Sequence, residues 1–282
     1  MTFRQRIAFL DVDGTIIDHG ERIAPSTIEA IRTARANGHL VYLSTGRAAT
    51  EIYPIISDIG FDGAVLAGGG FARVGEELVI SRTMPQQATE RMVDWFEQAG
   101  YDFYLQSFTD LFPSPGVRDR FAHYLNADRG TGGPGSVVEA GDEHPALRRF
   151  ADVRPYPREG IAKAVFLGDD ETAYDRAVEA FAGEFHVITG TIPHLGRGAG
   201  EVTLHGVNKG TTIVQLLEHL GLDLADSIGI GDNGNDVEML QLCGVGIAMG
   251  NAADEIKAHA DEVTTAVLDD GIWNAFRKHG LV

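Results

Sequence analysis

Short apolar runs alternate with longer amphipathic segments along most of the chain. Runs of four to six mainly apolar residues predict buried strands, and they lie at 7–10, 40–44, 64–67, 162–167, 185–189, 227–231 and 245–249. Segments whose apolar residues recur every three or four positions predict helices, and they lie at 25–37, 48–59 (interrupted by Pro54), 85–99, 171–182, 209–220, 235–242, 254–260 and 271–279. Because strands alternate with helices, the pattern predicts an α/β fold whose parallel sheet is covered on both faces.

The alternation changes character in the middle of the chain. The helix predicted at 85–99 is followed by a strand at 101–106 and then by an irregular region that includes a Gly-rich stretch at 130–135. After Gly200 the first pattern resumes. We therefore predict a core formed by residues 1–84 and 191–282, with a smaller α+β unit inserted at 85–190.

Composition limits the classes of partner. The 282 residues include 23 Lys and Arg against 41 Asp and Glu, a formal net charge of −18, which argues against nucleic acid and anionic membranes because both require basic patches. The single cysteine, Cys243, allows no internal disulfide and fits a reducing compartment. No apolar run approaches the ~20 residues of a membrane span, and the four apolar residues at 7–10 are too few for a signal peptide. We expect a cytoplasmic protein.

Two carboxylates stand where the first predicted strand ends. Side chains alternate along a strand, so Asp11 and Asp13 begin on the same side, and Gly14 then allows the chain to turn away. Ligands of open α/β sheets bind at the carboxyl ends of the strands. This pair therefore suits a divalent cation and a nucleophile, with a plain turn as the alternative.

Three further segments place polar groups at the ends of strands or helices. Residues 44–46 (Ser-Thr-Gly) offer hydroxyl and N–H groups to a phosphate, although they also suit an ordinary turn. Lys209 starts a helix, where a cation opposes the helix dipole, which suggests a functional partner as an alternative to a solvated lysine. Asp232 would reach the same sheet edge as Asp11 if their strands are neighbours, and Asp236 follows one turn later, with helix capping as the alternative.

Together these segments resemble the four motifs of the haloacid dehalogenase (HAD) superfamily, and within it the Cof-type phosphatases. The matches are residues 11–15, 45–47, Lys209 and 231–236, and the tail at 246–252 also fits. The resemblance implies a Rossmann-like parallel-sheet core with an inserted α+β cap domain. One departure is Ala-Gly-Gly-Gly at 67–70, where the family often has Asn-Gly-Ala.

The resemblance also implies residue roles. Asp11 is the expected nucleophile, and Asp13 the acid that protonates the leaving oxygen and later deprotonates water. Mg²⁺ is expected on the Asp11 carboxylate, the Asp13 carbonyl and Asp232, with Asp236 orienting Lys209 or a metal-bound water. The groups expected to hold the phosphoryl oxygens are the N–H groups of Val12 and Gly46 and the side chains of Thr45, Lys209 and Asn235.

The predicted function is a Mg²⁺-dependent phosphatase that hydrolyses small phosphorylated metabolites, either sugar phosphates or phosphorylated cofactors, through an aspartyl-phosphate. The alternatives are a phosphomutase or phosphotransferase with the same chemistry, and a non-catalytic regulator that binds phosphoesters. Candidate substrate contacts in the inserted unit, with a solvated helix face as their alternative, are Arg118, Arg120, His123 and Tyr124. Lys163, just before an apolar strand, is a familiar feature of the family and is open to a structural role.

Overall fold

The computed structural model describes residues 4–18, 22–127, 147, 149–150, 155–189 and 196–282, and for 123–127 and 196 it describes the backbone alone. The predicted Gly-rich stretch at 130–135 lies outside these residues. The described strands are β1 Ile7–Leu10, β2 Leu40–Ser44, β3 Gly63–Leu66, β4 Phe71–Val74, β5 Glu77–Ser81, β6 Asp102–Gln106, β7 Leu111–Pro113, β8 Lys163–Leu167, β9 Phe185–Thr189, β10 Ala199–Leu204, β11 Ser227–Gly231, β12 Val245–Ala248 and β13 Glu262–Val263. The described helices are α1 Pro25–Ala36, α2 Pro54–Ser57, α3 Gln86–Ala99, α4 Val117–Ala127, α5 Ala173–Phe181, α6 Lys209–Leu220, α7 Val237–Leu242, α8 Asp254–Lys257 and α9 Gly271–Lys278.

The larger sheet has eight strands in the order β13-β12-β11-β1-β2-β3-β4-β5. The strands from β13 to β3 run parallel, and β4 and β5 add an antiparallel edge. Leu10 of β1 pairs with Ile230 on one side and Leu43 on the other. This register brings the residues that follow β1, β2 and β11 to one edge of the sheet and confirms the predicted α/β fold with a parallel core.

All four residues of β1 are buried because both faces of the larger sheet are covered. Ala8 and Leu10 belong to a cluster with residues of α1 and α9, including Ile31 and Phe276. On the other face Ile7 and Phe9 pack with residues of α6 and α7, including Leu216 and Met239. The apolar residues Ile213, Leu216 and Leu217 of α6 therefore face the core.

The smaller sheet is antiparallel, with the order β7-β6-β8-β10-β9. Helices α3 and α5 cover one face, where Phe96 stacks on Phe103 and Phe166 at centroid distances of 5.3 and 5.5 Å. On the other face Tyr104 and Val165 share a cluster with Ala48 of the larger unit. The smaller sheet therefore packs against the segment that follows β2.

Strand β10 lies elsewhere than the sequence predicts. The predicted division places residues 199–204 in the second core segment, but β10 pairs with β8 and β9 in the smaller sheet. Its Gly, Glu and Thr residues weaken the strand pattern, and the buried Glu201 is paired with Lys163. We propose that the second core segment begins after Leu204.

The interruption that the sequence predicts at Pro54 within the helix at 48–59 is confirmed, but the helical turns are shorter than predicted. A 3₁₀ turn at Ala49–Glu51 is followed by the short helix α2. Pro54 donates no hydrogen bond and holds Tyr53 extended, so the helix restarts at the proline. Among the described residues, no helix combines the length and apolarity that a membrane crossing requires.

Candidate active site

Asp11 lies directly after β1 at the edge where three parallel strands end. Its N–H donates to the carbonyl of Ile230 over 2.9 Å, which continues the ladder between β1 and β11 by one residue. The side chain is only 4% exposed, and one carboxylate oxygen accepts a hydrogen bond from Lys209 at 2.6 Å. The structure therefore presents a buried carboxylate in a fixed orientation.

Lys209 is fully buried at the first residue of α6. Its Nζ contacts Asp11 at 2.6 Å and Asp236 at 2.5 Å. The Asn208 side chain caps the helix by accepting from the N–H of Thr211 at 2.8 Å, so α6 begins at Lys209. Burial alone would lower the pKa of Lys209, but the adjacent carboxylates raise it. The predicted functional partner of this lysine is therefore the carboxylate cluster.

Three carboxylates gather around this lysine. Oxygens of Asp11, Asp232 and Asp236 lie within 4.8 Å of one another. The pKa of Asp11 is raised well above its ordinary value, first by burial and then by Asp236, and burial with the charge of Asp236 raises the pKa of Asp232 to about 7. When all three carboxylates are ionised, one lysine leaves the cluster with excess negative charge. Oxygen ligands with this charge fit a divalent cation such as Mg²⁺.

The two oxygens of Asp236 already accept hydrogen bonds within the protein. One accepts from Lys209, and the other accepts from the N–H groups of Asp232 and Asn233, both at 3.0 Å. Asp232 accepts from the hydroxyl of Thr15 at 3.1 Å. The contacts of Asp236 suit the orienting role expected from the sequence better than direct ligation of a metal.

The acidic cluster should make the stability of the metal-free protein depend on pH. Between about pH 4 and pH 7 the folded chain retains a proton on Asp232 that the unfolded chain has lost, so the free energy of unfolding falls as the pH rises through this window. A bound cation replaces that proton. We expect Mg²⁺ to raise the melting temperature more at pH 8 than at pH 5, by on the order of 5 °C, in thermal unfolding with Mg²⁺ or chelator. Equal shifts at both pH values would contradict this, and Asp232→Asn should remove the difference.

Among the residues expected to cradle a phosphoryl group, Gly46 and Asn235 lie side by side. Thr45 is 1% exposed, and its hydroxyl accepts from the N–H of Arg47 at 3.1 Å. A Cβ added to Gly46 would lie 3.4 Å from Nζ of Lys163 and 3.6 Å from Nδ2 of Asn235. The Oδ1 atom of Asn235 is buried and accepts no hydrogen bond from the described residues. Val12, fully buried, lies at the bend after β1 and accepts from the N–H groups of Ile16 and Ile17, both at 3.0 Å.

Asp13 points to a different set of partners from Asp11. Its carboxylate is half-exposed and receives two hydrogen bonds from Arg47, at 2.6 and 2.9 Å. The guanidinium carbon of Arg47 also lies 4.7 Å from the ring centroid of Tyr53, and its Nη1 donates to the carbonyl of Glu51 at 2.8 Å. The side chain of Asp13 is outside the three-carboxylate cluster, so only its carbonyl is left for the metal role expected from the sequence. Arg47 completes the second motif, but no role for its side chain was predicted from the sequence.

Two polar contacts join the smaller sheet to this edge of the core. Lys163, 2% exposed, donates to the carbonyl of Gly46 at 2.7 Å and to Glu201 at 2.9 Å. Nε2 of Gln106 donates to Glu51 at 2.7 Å. Lys163 therefore reaches from the smaller sheet to the predicted phosphate loop, a contact that the sequence did not reveal.

Of the four substrate candidates in the inserted unit, Arg120 has its described partners within that unit. Arg120 is held within the smaller unit by Asp102 at 2.8 Å, Asp169 at 2.7 Å and the carbonyl of Gly168 at 3.0 Å. Arg118 is exposed on α4. His123 and Tyr124 lie in the same helix, but their side chains are outside the part of the chain that the structure describes.

Ala67, where the family often has Asn, adopts a left-handed conformation with φ of 51°. Asn enters this region more readily than Ala does. The departure therefore falls at a position where the backbone itself explains the family preference.

The chain resembles known proteins over nearly its whole length. A family model described as haloacid dehalogenase-like hydrolase matches residues 8–276. The HMP-PP phosphatase of Serratia proteamaculans (strain 568) is 27% identical over 257 residues, with 90% of this chain and 86% of that protein covered. The 5-amino-6-(5-phospho-D-ribitylamino)uracil phosphatase YwtE of Bacillus subtilis (strain 168) is 26% identical over 278 residues, with coverage of 93% and 94%. The solved structure of the HAD subclass IIB sugar phosphatase BT4131 superposes with a TM-score of 0.75 at 24% identity, covers 99% of this chain and 100% of that chain, and shows the shared fold.

Proposed function

The chain belongs to the haloacid dehalogenase-like hydrolase family and is a phosphatase, and we propose that it hydrolyses phosphate monoesters of small metabolites, either sugar phosphates or phosphorylated cofactors, through an aspartyl-phosphate on Asp11. The observation that carries this proposal is the buried Asp11 carboxylate, held by Lys209 at the end of the central strand and next to Asp232. We further propose that the smaller unit is the cap that covers the site.

In the first half of the reaction a carboxylate oxygen of Asp11 attacks phosphorus in line and the bond from phosphorus to the leaving oxygen breaks. Asp13, in its protonated form, gives its proton to that oxygen. In the second half Asp13 removes a proton from water, the water oxygen attacks phosphorus, and the acyl phosphate breaks to inorganic phosphate and the free Asp11 carboxylate. Water is consumed, and both aspartates return to their starting states.

The developing charge on the phosphoryl oxygens needs preorganised donors. Lys209, the side chains of Thr45 and Asn235, and the N–H groups of Val12 and Gly46 are proposed to supply them. A bound Mg²⁺, with the Asp11 and Asp232 carboxylates and the Asp13 carbonyl as its protein ligands, would neutralise the repulsion between the anionic nucleophile and the anionic ester. Asp236 positions Lys209 through their 2.5 Å contact.

The experiment that tests the function is phosphate release from a panel of sugar phosphates, nucleotides, pyridoxal phosphate and flavin mononucleotide, with Mg²⁺ and with chelator. Metal-dependent release of inorganic phosphate is expected. An isomerised ester in place of phosphate would overturn hydrolysis in favour of a mutase, and tight binding of esters without turnover would overturn it in favour of a regulator.

The role proposed for Asp13 predicts a dependence on the leaving group. Asp13→Asn should lower kcat by about 10²–10⁴-fold for an alkyl phosphate, because the alkoxide then leaves without a proton. The loss should be much smaller for p-nitrophenyl phosphate in single-turnover measurements, because its leaving group needs no proton. Equal losses with both esters would show that Asp13 acts by holding Arg47 instead.

A further inference from the structure

A second cationic position lies beside the predicted site. The guanidinium carbon of Arg149 is 4.6 Å from the ring centroid of Tyr53, and that of Arg47 is 4.7 Å from the same centroid, so the two carbons are at most about 9 Å apart. Arg47 in turn binds both oxygens of Asp13. Arg149, from the inserted unit, therefore contacts the same Tyr53 ring as the arginine that holds Asp13.

The hydrogen-bonding capacity of Arg149 is unmet within the described part of the chain. Its guanidinium has five N–H donors. Among the described residues it stacks on the ring of Tyr53 and forms no hydrogen bond. Arg149 is half-buried, and burial lowers its pKa. Because partial burial leaves fewer waters to satisfy these donors, the side chain is open to acceptor atoms from a bound molecule.

Glu51 is the carboxylate within the protein that could pair with Arg149 in place of a bound anion. Its charge favours the charged form of Arg149. However, the described contacts of the Glu51 carboxylate are with the N–H of Ala48 and with Gln106, both at 2.7 Å, and no hydrogen bond joins it to Arg149. The neighbouring cations each have a carboxylate partner, since Lys163 pairs with Glu201 and Arg47 with Asp13. Arg149 has no such pair among the described residues, so its donors are unused even though Glu51 balances its charge at a distance.

We propose that Arg149 is a specificity-determining residue that binds a second anionic group, a carboxylate or a phosphate, on the leaving group of the substrate. The proposal rests on the proposed phosphatase function and narrows its substrate class to esters whose leaving group is itself anionic. A planar guanidinium matches both anions with two parallel hydrogen bonds. Stacking on Tyr53 fixes the plane of the guanidinium before the substrate binds.

The test compares esters that differ in this second group. Glycerate 2-phosphate against glycerol 2-phosphate examines a carboxylate, and methyl diphosphate against methyl phosphate examines a phosphate. Wild-type kcat/KM should be higher for the anionic member of at least one pair. Arg149→Met should lower kcat/KM for that member by about 10–100-fold, chiefly through KM, and change the neutral member less than threefold. Arg149→Lys keeps the charge but loses the two parallel hydrogen bonds. Its kcat/KM for the anionic member should lie between those of the wild type and Arg149→Met.

Two controls separate the ways in which this could fail. Arg158→Met removes an exposed arginine of the same unit and should change neither member of a pair. Equal losses with both members in Arg149→Met, together with a lower melting temperature, would overturn the proposal in favour of charge balance with Glu51. Calorimetric binding of the same four esters to Asp11→Asn, with and without Arg149→Met, tests the anion contact without turnover. Discrimination in binding but no hydrolysis by the wild type would contradict the proposed function and retain the anion site, whereas hydrolysis without discrimination would do the reverse.

Discussion

Asp11→Asn is expected to abolish phosphate release, with a fall in kcat on the order of 10⁴–10⁶-fold. The amide keeps the shape of the carboxylate at the end of β1 but cannot form the acyl phosphate. The check is single-turnover release of phosphate from the best ester of the panel, together with acid-quench trapping of a phosphorylated chain, which the wild type should give and the variant should not. Asp58→Asn, at an exposed aspartate after α2, is the matched control and should retain the wild-type rate.

The same variant should remain folded, which separates chemistry from stability. Asp11 is buried among other carboxylates, and its pKa is raised first by burial and next by Asp236. Replacing it with a neutral isostere removes repulsion while Lys209 keeps Asp236 as a partner. In chelator, the melting temperature of Asp11→Asn should therefore equal or exceed that of the wild type. Turnover within tenfold of the wild type would overturn the assignment of Asp11 as nucleophile.

The core and its site were predictable because both depend on local patterns. Strands β1, β2 and β11 match their predicted bounds residue for residue, since short apolar runs stop at Asp, Thr and Asp. Parallel order then places the ends of these strands together, so the proximity of Asp11 and Asp232 follows from topology. The sequence also indicated that Lys209 has a partner, because a cation at the first residue of a helix opposes the helix dipole.

What the sequence did not reveal depends on contacts between distant segments. Glu201 carries no local signal of burial, and its ion pair with Lys163, on a neighbouring strand, stabilises it in the interior. Arg120 was a candidate substrate contact with a solvated helix face as its alternative, and in the structure Asp102 and Asp169 hold it within the smaller unit. The position of Arg149 on Tyr53 joins the inserted unit to the core and has no local signature. Such pairings depend on the tertiary structure, and local sequence patterns do not predict them.

Lys209→Met is expected to have the largest effect on stability. The lysine is fully buried between Asp11 and Asp236, and breaking a buried ion pair by removing one partner costs about 3–5 kcal/mol. Methionine has nearly the same volume, so the loss reflects charge and hydrogen bonding and not a cavity. Urea unfolding in chelator should show this decrease in the free energy of unfolding.

Mg²⁺ distinguishes the two roles of Lys209. A divalent cation neutralises the same carboxylates, so saturating Mg²⁺ should recover part of the lost stability of Lys209→Met without recovering turnover, because the donor to the phosphoryl group is still missing. Lys278→Met is the matched control: its exposed pair with Glu262 should be worth less than about 1 kcal/mol, with or without metal. If Lys209→Met unfolded with wild-type stability in chelator, the three carboxylates would have to be largely protonated in the folded protein, and Lys209 would then serve the reaction alone.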